Sequence, residues 1–357
     1  MTSVAMDGSA VRAIQFGKRC ECTYGPVGSG AMLTPMVDSS HLLRAGDFDG
    51  LRAVLDRDGF LYLKGALPSA SVDAAREKVL DHLIEKGDVL ADRDAMMLNE
   101  NCGLGCIPFM EGRNDVTHSP ELLEVFEGEA IRALFRGIFD VESVRPFDFK
   151  WLRGMPRDGF TGAHVDSVYM GRGTDKLMTC WVPFGVNPVE LGALAVCAGS
   201  HALPSFAKLR ATYGAMDHAA DGLDGSGWFS EDPAEILALC PGGCWQTTDF
   251  APGDVVTFGM QTLHMSTSNS TDQIRISADL RFQPTSEPAD PRYVGEFVQT
   301  IAKAGAWAEA EKESAAAAAA TATPAGAVKV EDEAPKVTIR ELRAKWGFPL
   351  PEGVDMK

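Results

Sequence analysis

The spacing of hydrophobic residues changes partway along the chain. Between residues 48 and 139 they recur every three or four positions; from about Val144 onward they alternate. In the first half, Phe48, Leu51, Val54 and Leu55 predict a helix that stops at Gly59. The run Phe60-Leu61-Tyr62-Leu63 predicts a short buried strand. Val72, Val79, Leu83 and Ile84 line one face of a second helix, with Ser69 or Ser71 as its cap. Ser119-Pro120 opens a third, running to about Phe139, because proline suits a first helical turn. In the second half, Phe147, Phe149 and Trp151 alternate with Asp148, Lys150 and Leu152. Met178, Cys180 and Val182 alternate with Thr179 and Trp181, and Val256 and Phe258 with Val255 and Thr257. Ile276, Ala278, Leu280 and Phe282 alternate with Arg275, Ser277, Asp279 and Arg281. Short alternating strands separated by Gly, Pro and Asn predict an antiparallel sandwich or barrel. Helices first and strands later predict an α+β layout with the helices on one sheet face.

The flanks read differently. Residues 1–40 are rich in Gly, Ser, Met and Thr without a period and predict an irregular arm. Residues 301–336 form an Ala-rich linker of low complexity. Residues 337–357 predict a short docking helix and a tail: Thr338 with Glu341 makes a capping box, and Leu342 and Trp346 supply the docking face. Two segments of the central region, 90–118 and the insertion 203–246, read as covers over a pocket.

Composition narrows the function. The 357 residues carry a net charge of -17, which repels phosphate backbones and anionic lipid and argues against nucleic-acid or membrane partners. No apolar stretch approaches the ~20 residues of a membrane span, and the N-terminus lacks the apolar core of a signal peptide. The expectation is a soluble cytoplasmic protein acting on a small molecule. Among the eight cysteines, Cys102/Cys106 and Cys240/Cys244 have a spacing that zinc tolerates, but free thiols in a reducing compartment are the simpler reading.

The candidate chemistry centres on histidine. Of seven histidines, only His164 begins an H-x-D sequence, with Asp166. Two residues apart on an extended strand point the same way, so imidazole and carboxylate can grip one metal ion. His264, after the strand around Val256, is the best candidate for a third ligand. Two histidines and one carboxylate leave three positions open on one face, the arrangement of non-haem Fe(II) oxygenases. Eleven residues beyond His264 stands Arg275. If Ile276, Ala278 and Leu280 face the outer core, Arg275 and Ser277 face the interior, where a guanidinium beside a hydroxyl can hold a distal carboxylate. A metal with such a clamp suits a 2-oxo dicarboxylic acid.

These features resemble the phytanoyl-CoA dioxygenase family of Fe(II)/2-oxoglutarate-dependent oxygenases. The resemblance rests on DRDGFLYLKGALP, HVD, TCWVPFGV, GALAVCAGSH, PGDVVTFGMQTLHMSTSN and RISADLRFQP, between about residues 47 and 285. It implies a double-stranded β-helix of the jelly-roll or cupin-like kind spanning residues 41–300. It implies iron held by His164, Asp166 and His264, and Arg275 on the C5 carboxylate of 2-oxoglutarate. Ser266 and Trp181 match positions expected near the co-substrate, and His201 matches a structural position. O2 would complete the reaction, giving succinate, CO2 and a hydroxylated product. An aspartate at 166, where related halogenases have a small residue, favours hydroxylation, desaturation or cyclisation.

Substrate recognition is thinly written. Tyr213, Trp228 and Phe229 in the 203–246 insertion, and Arg113, are candidates to touch substrate. Lys150 is a candidate to meet a co-substrate carboxylate, against the alternative of a surface lysine. Two other readings compete: a cupin-like metal enzyme that does not use 2-oxoglutarate, for which Arg275 has no purpose, and a non-catalytic barrel, for which an intact ligand set has none.

Overall fold

The computed structural model describes residues 11–93, 96, 97, 99, 108–110, 114–295 and 336–349. Two sheets face each other. The larger runs β4 (Phe60–Leu63), β11 (Val255–Gly259), β8 (Met178–Pro183), β13 (Arg275–Pro284), β7 (Trp151–Met155) and β5 (Pro108–Met110), with β6 (Val144–Pro146) also on β13. The smaller runs β1 (Arg12–Phe16), β2 (Cys20–Tyr24), β3 (Leu33–Pro35), β10 (Cys244–Thr247), β9 (Leu194–Ala198) and β12 (His264–Ser266). Neighbouring strands come from distant parts of the chain, as in a double-stranded β-helix.

The alternation in β13 sorts its two faces. Ile276, Ala278, Leu280 and Phe282 join one core with the helices α3 (Ser69–Lys86), α4 (Pro120–Glu127) and α5 (Glu129–Phe139). Leu51 of α2 (Phe48–Asp58), which follows the short α1 (Ser40–Ala45), completes that layer. The fold is therefore α+β, with the N-terminal helices on the outer face of the larger sheet. Between the sheets lies a second apolar layer of Phe60, Tyr62, Trp181, Val196, Phe250 and Phe258.

Several predicted boundaries are revised. The helix expected from Ser119 to Phe139 is two, broken at Gly128, whose backbone is extended. A side chain there would meet the Glu124 carbonyl at 2.1 Å. Helix α3 begins at Ser69 behind Pro68, with no side-chain cap from either serine. The expected strand through Phe147 and Phe149 is irregular until Trp151, although the three rings still gather on Tyr293. Residues 12–35, expected as an irregular arm, form β1 to β3; β3 pairs in parallel with β10, and Ile14, Phe16, Tyr24 and Leu33 are buried. Strands of three to five residues leave no local period to read, and β3 has its β10 partner about two hundred residues away.

The insertion 203–246 does not border the cavity around His164 and His264; its Gly214 to Asp217 line a separate cavity with Ser167, Met170 and Gln261. It carries α7 (Ala207–Ala211) and α8 (Pro233–Leu239), and its Phe206, Leu209, Tyr213, Phe229 and Ile236 pack on Ala195, Cys197, Leu263 and Met265 of the smaller sheet. The C-terminal helix α9 (Ile339–Lys345) joins this core with Ile339, Leu342 and Trp346, and its Thr338–Glu341 capping box is formed. Arg343 is fully buried in the joint. It reaches Glu235 at 2.5 Å and the Phe229 and Pro349 carbonyls at 3.1 and 2.9 Å. No described helix is long and apolar enough to cross a membrane.

Because Glu235 sits beneath the helix, Arg343→Met should destabilise the protein by about 3 kcal/mol, the cost of stranding one partner of a buried ion pair. Chemical denaturation of the full chain checks this, and Arg343→Met/Glu235→Met should recover much of the loss.

Candidate metal and co-substrate site

One backbone contact assembles the centre. His164 and His264 face each other as an antiparallel pair, the amide of each donating to the carbonyl of the other at 3.0 Å. Their rings lie 4.1 Å apart on the same side of that pair. Two residues on, the chain turns into α6 (Ser167–Met170), and Asp166 is its cap in helical conformation. The carboxylate thus comes from a helix start, not from the extended strand that H-x-D suggested. Its Oδ1 lies 3.9 Å from His164 Nε2 and 3.8 Å from His264 Nε2. Among the described residues, these three are the group of buried donors placed to share one metal ion, with ligand atoms within 4.8 Å of one another.

The surroundings choose the donor atoms. His164 Nδ1 pairs with the Gly162 carbonyl at 2.8 Å and His264 Nδ1 with that of Thr262 at 3.0 Å, which points both Nε2 atoms inward. Gly162 must be glycine: a Cβ there would come within 2.6 Å of the Trp228 ring. Burial, with the second imidazole, pushes His164 down to about 3, and burial lowers His264 as well. Burial alone would raise Asp166. Arg281, ahead of the two imidazoles and Thr179, instead holds its carboxyl below the usual range. Neutral imidazoles and an ionised carboxylate are the forms a divalent metal takes. Two nitrogens and one oxygen on one side of a cavity fit ferrous iron with positions to spare.

The same cavity carries Arg275, Trp181 and Ser266. Arg275 is buried, donates to the Gly192 carbonyl at 2.6 Å and lies over the Trp181 ring at 6.0 Å. Ser266 accepts from the Thr161 amide at 2.8 Å. Ser277, two residues beyond Arg275, is buried, and its hydroxyl has no hydrogen-bond partner among the described residues. A buried cation in the same cavity as the three donors suits the far end of a dicarboxylate.

Residues 55–277 match the family described as phytanoyl-CoA dioxygenase (PhyH). The chain belongs to the phytanoyl-CoA dioxygenase family. It is an oxygenase that depends on non-haem iron and 2-oxoglutarate, with O2 as the second co-substrate. It is 27% identical over 263 residues to a 1-deoxypentalenic acid 11-beta-hydroxylase of Streptomyces exfoliatus, covering 71% of this chain and 87% of that one. The Streptomyces arenae protein of the same name is 26% identical over 265 residues, with 71% and 84% covered. Solved structures with a similar course include EctD from S. alaskensis with 2-oxoglutarate and 5-hydroxyectoine (18% identity, 69% and 83% covered, TM-score 0.48). The epimerase SnoN with Fe3+, alpha ketoglutarate and nogalamycin RO is another (21% identity, 69% and 87% covered, TM-score 0.45).

Other expected contacts are not made. Lys150 points away from the centre of this family member: Nζ lies 2.7 Å from Glu127 of α4 and 2.5 Å from the Phe147 carbonyl. It stands on the sheet face opposite Phe149 and Trp151, where the helices pack. Tyr213 and Phe229 belong to the core behind the smaller sheet, with the Tyr213 hydroxyl donating to Gly227 at 2.6 Å. Trp228 is half-buried against Phe160 and Gly162, backing the ligand loop without bordering the cavity. His201 holds the Asp56 carbonyl at 3.1 Å, as a structural histidine would. Arg113 and the pair Cys102/Cys106 lie outside the described residues. Cys240 and Cys244 are unpaired, as are the other described cysteines.

Sequence reasoning missed Thr179 and the partners of Asp279 and Arg281. Arg153 of β7 takes Asp279, and Arg281 takes Asp166. The signal was there as alternation: Arg275, Ser277, Asp279, Arg281 and Gln283 share one face of a wholly buried strand, and buried charges there call for partners across the interior.

The Lys150 placement has a direct consequence. Glu127→Gln, which strands a buried ammonium, should cost about 3 kcal/mol. Lys150→Met should cost less, because Glu127 keeps Arg132 at 2.8 Å. In the metal-loaded protein, Lys150→Met should leave 2-oxoglutarate affinity unchanged by calorimetry; a large loss would return Lys150 to the co-substrate site.

Proposed function

We propose that the protein hydroxylates an aliphatic carbon of a small-molecule metabolite, with His164, Asp166 and His264 as the iron ligands and Arg275 as the anchor for the C5 carboxylate of 2-oxoglutarate. The observation that carries this reading is the convergence of three donor atoms of suitable protonation in a cavity that also contains Arg275. When bound, iron and 2-oxoglutarate supply the O2-derived oxidant and release succinate and CO2. The chain's own residues supply geometry and exclusion of water. His164 and His264 are set by carbonyls, Phe258 packs on His264 at 4.5 Å and Tyr169 on His164 at 5.7 Å. Arg275 offers a charged donor in a dry site, where such pairing is strong. Ser277 and Ser266 stand near it as further hydrogen-bonding partners, and Trp181 walls the co-substrate.

Asp166, which occupies the position a halide would need, speaks against halogenation, and relatives named as hydroxylases favour hydroxylation over desaturation or cyclisation. Their named substrate is an acid, and a small organic acid is a reasonable first class to screen. The net charge of -17 speaks against a nucleic-acid substrate. Unpaired cysteines fit a cytoplasmic setting.

Purified protein with Fe(II), 2-oxoglutarate, O2 and a set of small acids should form succinate faster when the right acid is present, one succinate per hydroxylated product. Arg275→Leu should raise the KM for 2-oxoglutarate by roughly 30-fold or more, the loss of a buried charged pair, with metal binding retained. Turnover without 2-oxoglutarate would favour a cupin-like enzyme instead.

A further inference from the structure

We infer that Arg281 and Thr179 act as a positioning pair that keeps Asp166 a one-oxygen ligand, and so preserve a coordination position for the co-substrate. The inference rests on the metal reading above. The two oxygens of Asp166 have different surroundings. Oδ1 faces both imidazoles, 3.9 and 3.8 Å from their Nε2 atoms. Oδ2 takes the Thr179 hydroxyl and lies 3.2 Å from Arg281 Nη2. A carboxylate with both oxygens free can bind a metal through both. In a centre with three protein ligands, that second bond would take one of the three places that 2-oxoglutarate and O2 must share.

Arg281 is equipped to prevent the swing because it cannot follow it. Its guanidinium is held from other directions: Nε by the Met170 sulfur at 3.1 Å, Nη1 by the Leu280 carbonyl at 3.3 Å, and its plane over the Trp151 ring at 5.0 Å. Arg281 and Asp166 are each 3% exposed, so a broken contact would not be replaced by bulk water. The task is separate from that of Arg275, six residues earlier on the same face of β13. Between them Asp279 is engaged by Arg153. One strand thus places one cation at the co-substrate's far end and another behind the metal's carboxylate.

The test uses Mn(II) in place of iron, with two calorimetric titrations of the full chain: Mn(II) into metal-free protein, then 2-oxoglutarate into the Mn(II)-loaded form. For Arg281→Gln the two affinities should move apart. Mn(II) should bind as tightly as in the parent or more tightly, because Asp166 gains a second bond, while 2-oxoglutarate weakens by about tenfold or more, the scale of effects from groups behind metal ligands. Thr179→Val should shift both in the same directions by less, and it keeps the inference testable should Arg281→Gln not fold. Arg281→Lys should restore most of the 2-oxoglutarate affinity. A parallel fall of both affinities in the variants would indicate general damage and overturn the inference. Unchanged 2-oxoglutarate binding in Arg281→Gln and Thr179→Val would overturn it as well. Parent protein that takes up no Mn(II) would overturn the metal reading itself, a result distinct from either.

Discussion

The two-way backbone pairing of His164 with His264 is the contact on which the centre depends. It joins segments one hundred residues apart and sets two imidazoles side by side. Everything else in the site is arranged around that pair. The carbonyls of Gly162 and Thr262 turn the rings, and the start of α6 swings Asp166 beneath them. Were the register between these segments to slip by one residue, one imidazole would face the opposite side of the sheet. The packing behind the smaller sheet, where residues 203–246 and α9 cover Leu263 and Met265, defends that register at a distance.

Charge is the second constraint. The interior holds Arg153, Arg275 and Arg281 against Asp166 and Asp279 in a nearly dry space. Arg153 is paired with Asp279 and Arg281 with Asp166, which fixes both carboxylates in place. Burial keeps the histidines neutral, while Arg281 leads the groups that keep Asp166 ionised. Protonation states are thereby prepared before a metal arrives. Arg275, the proposed anchor, is already held in place by Gly192 and Trp181.

What could be read from residue order follows a physical line. The alternation of β13 was legible because one face buries aliphatic groups against helices while the other must be polar. Arg275 and Ser277 could therefore be placed inside without coordinates. The ligands were legible because H-x-D and a later histidine are scarce in a chain with seven histidines. Contacts decided by tertiary packing were not. Nothing local says that Lys150 turns toward Glu127, that Asp166 begins a helix, or that Arg281 reaches Asp166 and not its strand neighbour. Tyr213 and Phe229 looked like a pocket's aromatic cover, yet the outer face of the smaller sheet needed their area more. Strand β3 was hidden for the same reason, since its partner β10 lies far along the chain, and β1 and β2 form a hairpin of five-residue strands too short to show a period.

Anaerobic titration with Fe(II) and 2-oxoglutarate tests the central claim most directly. A weak visible charge-transfer band should grow to one equivalent of each and be absent in His164→Ala. A parent protein that binds neither, or a band of equal strength in His164→Ala, would contradict the account.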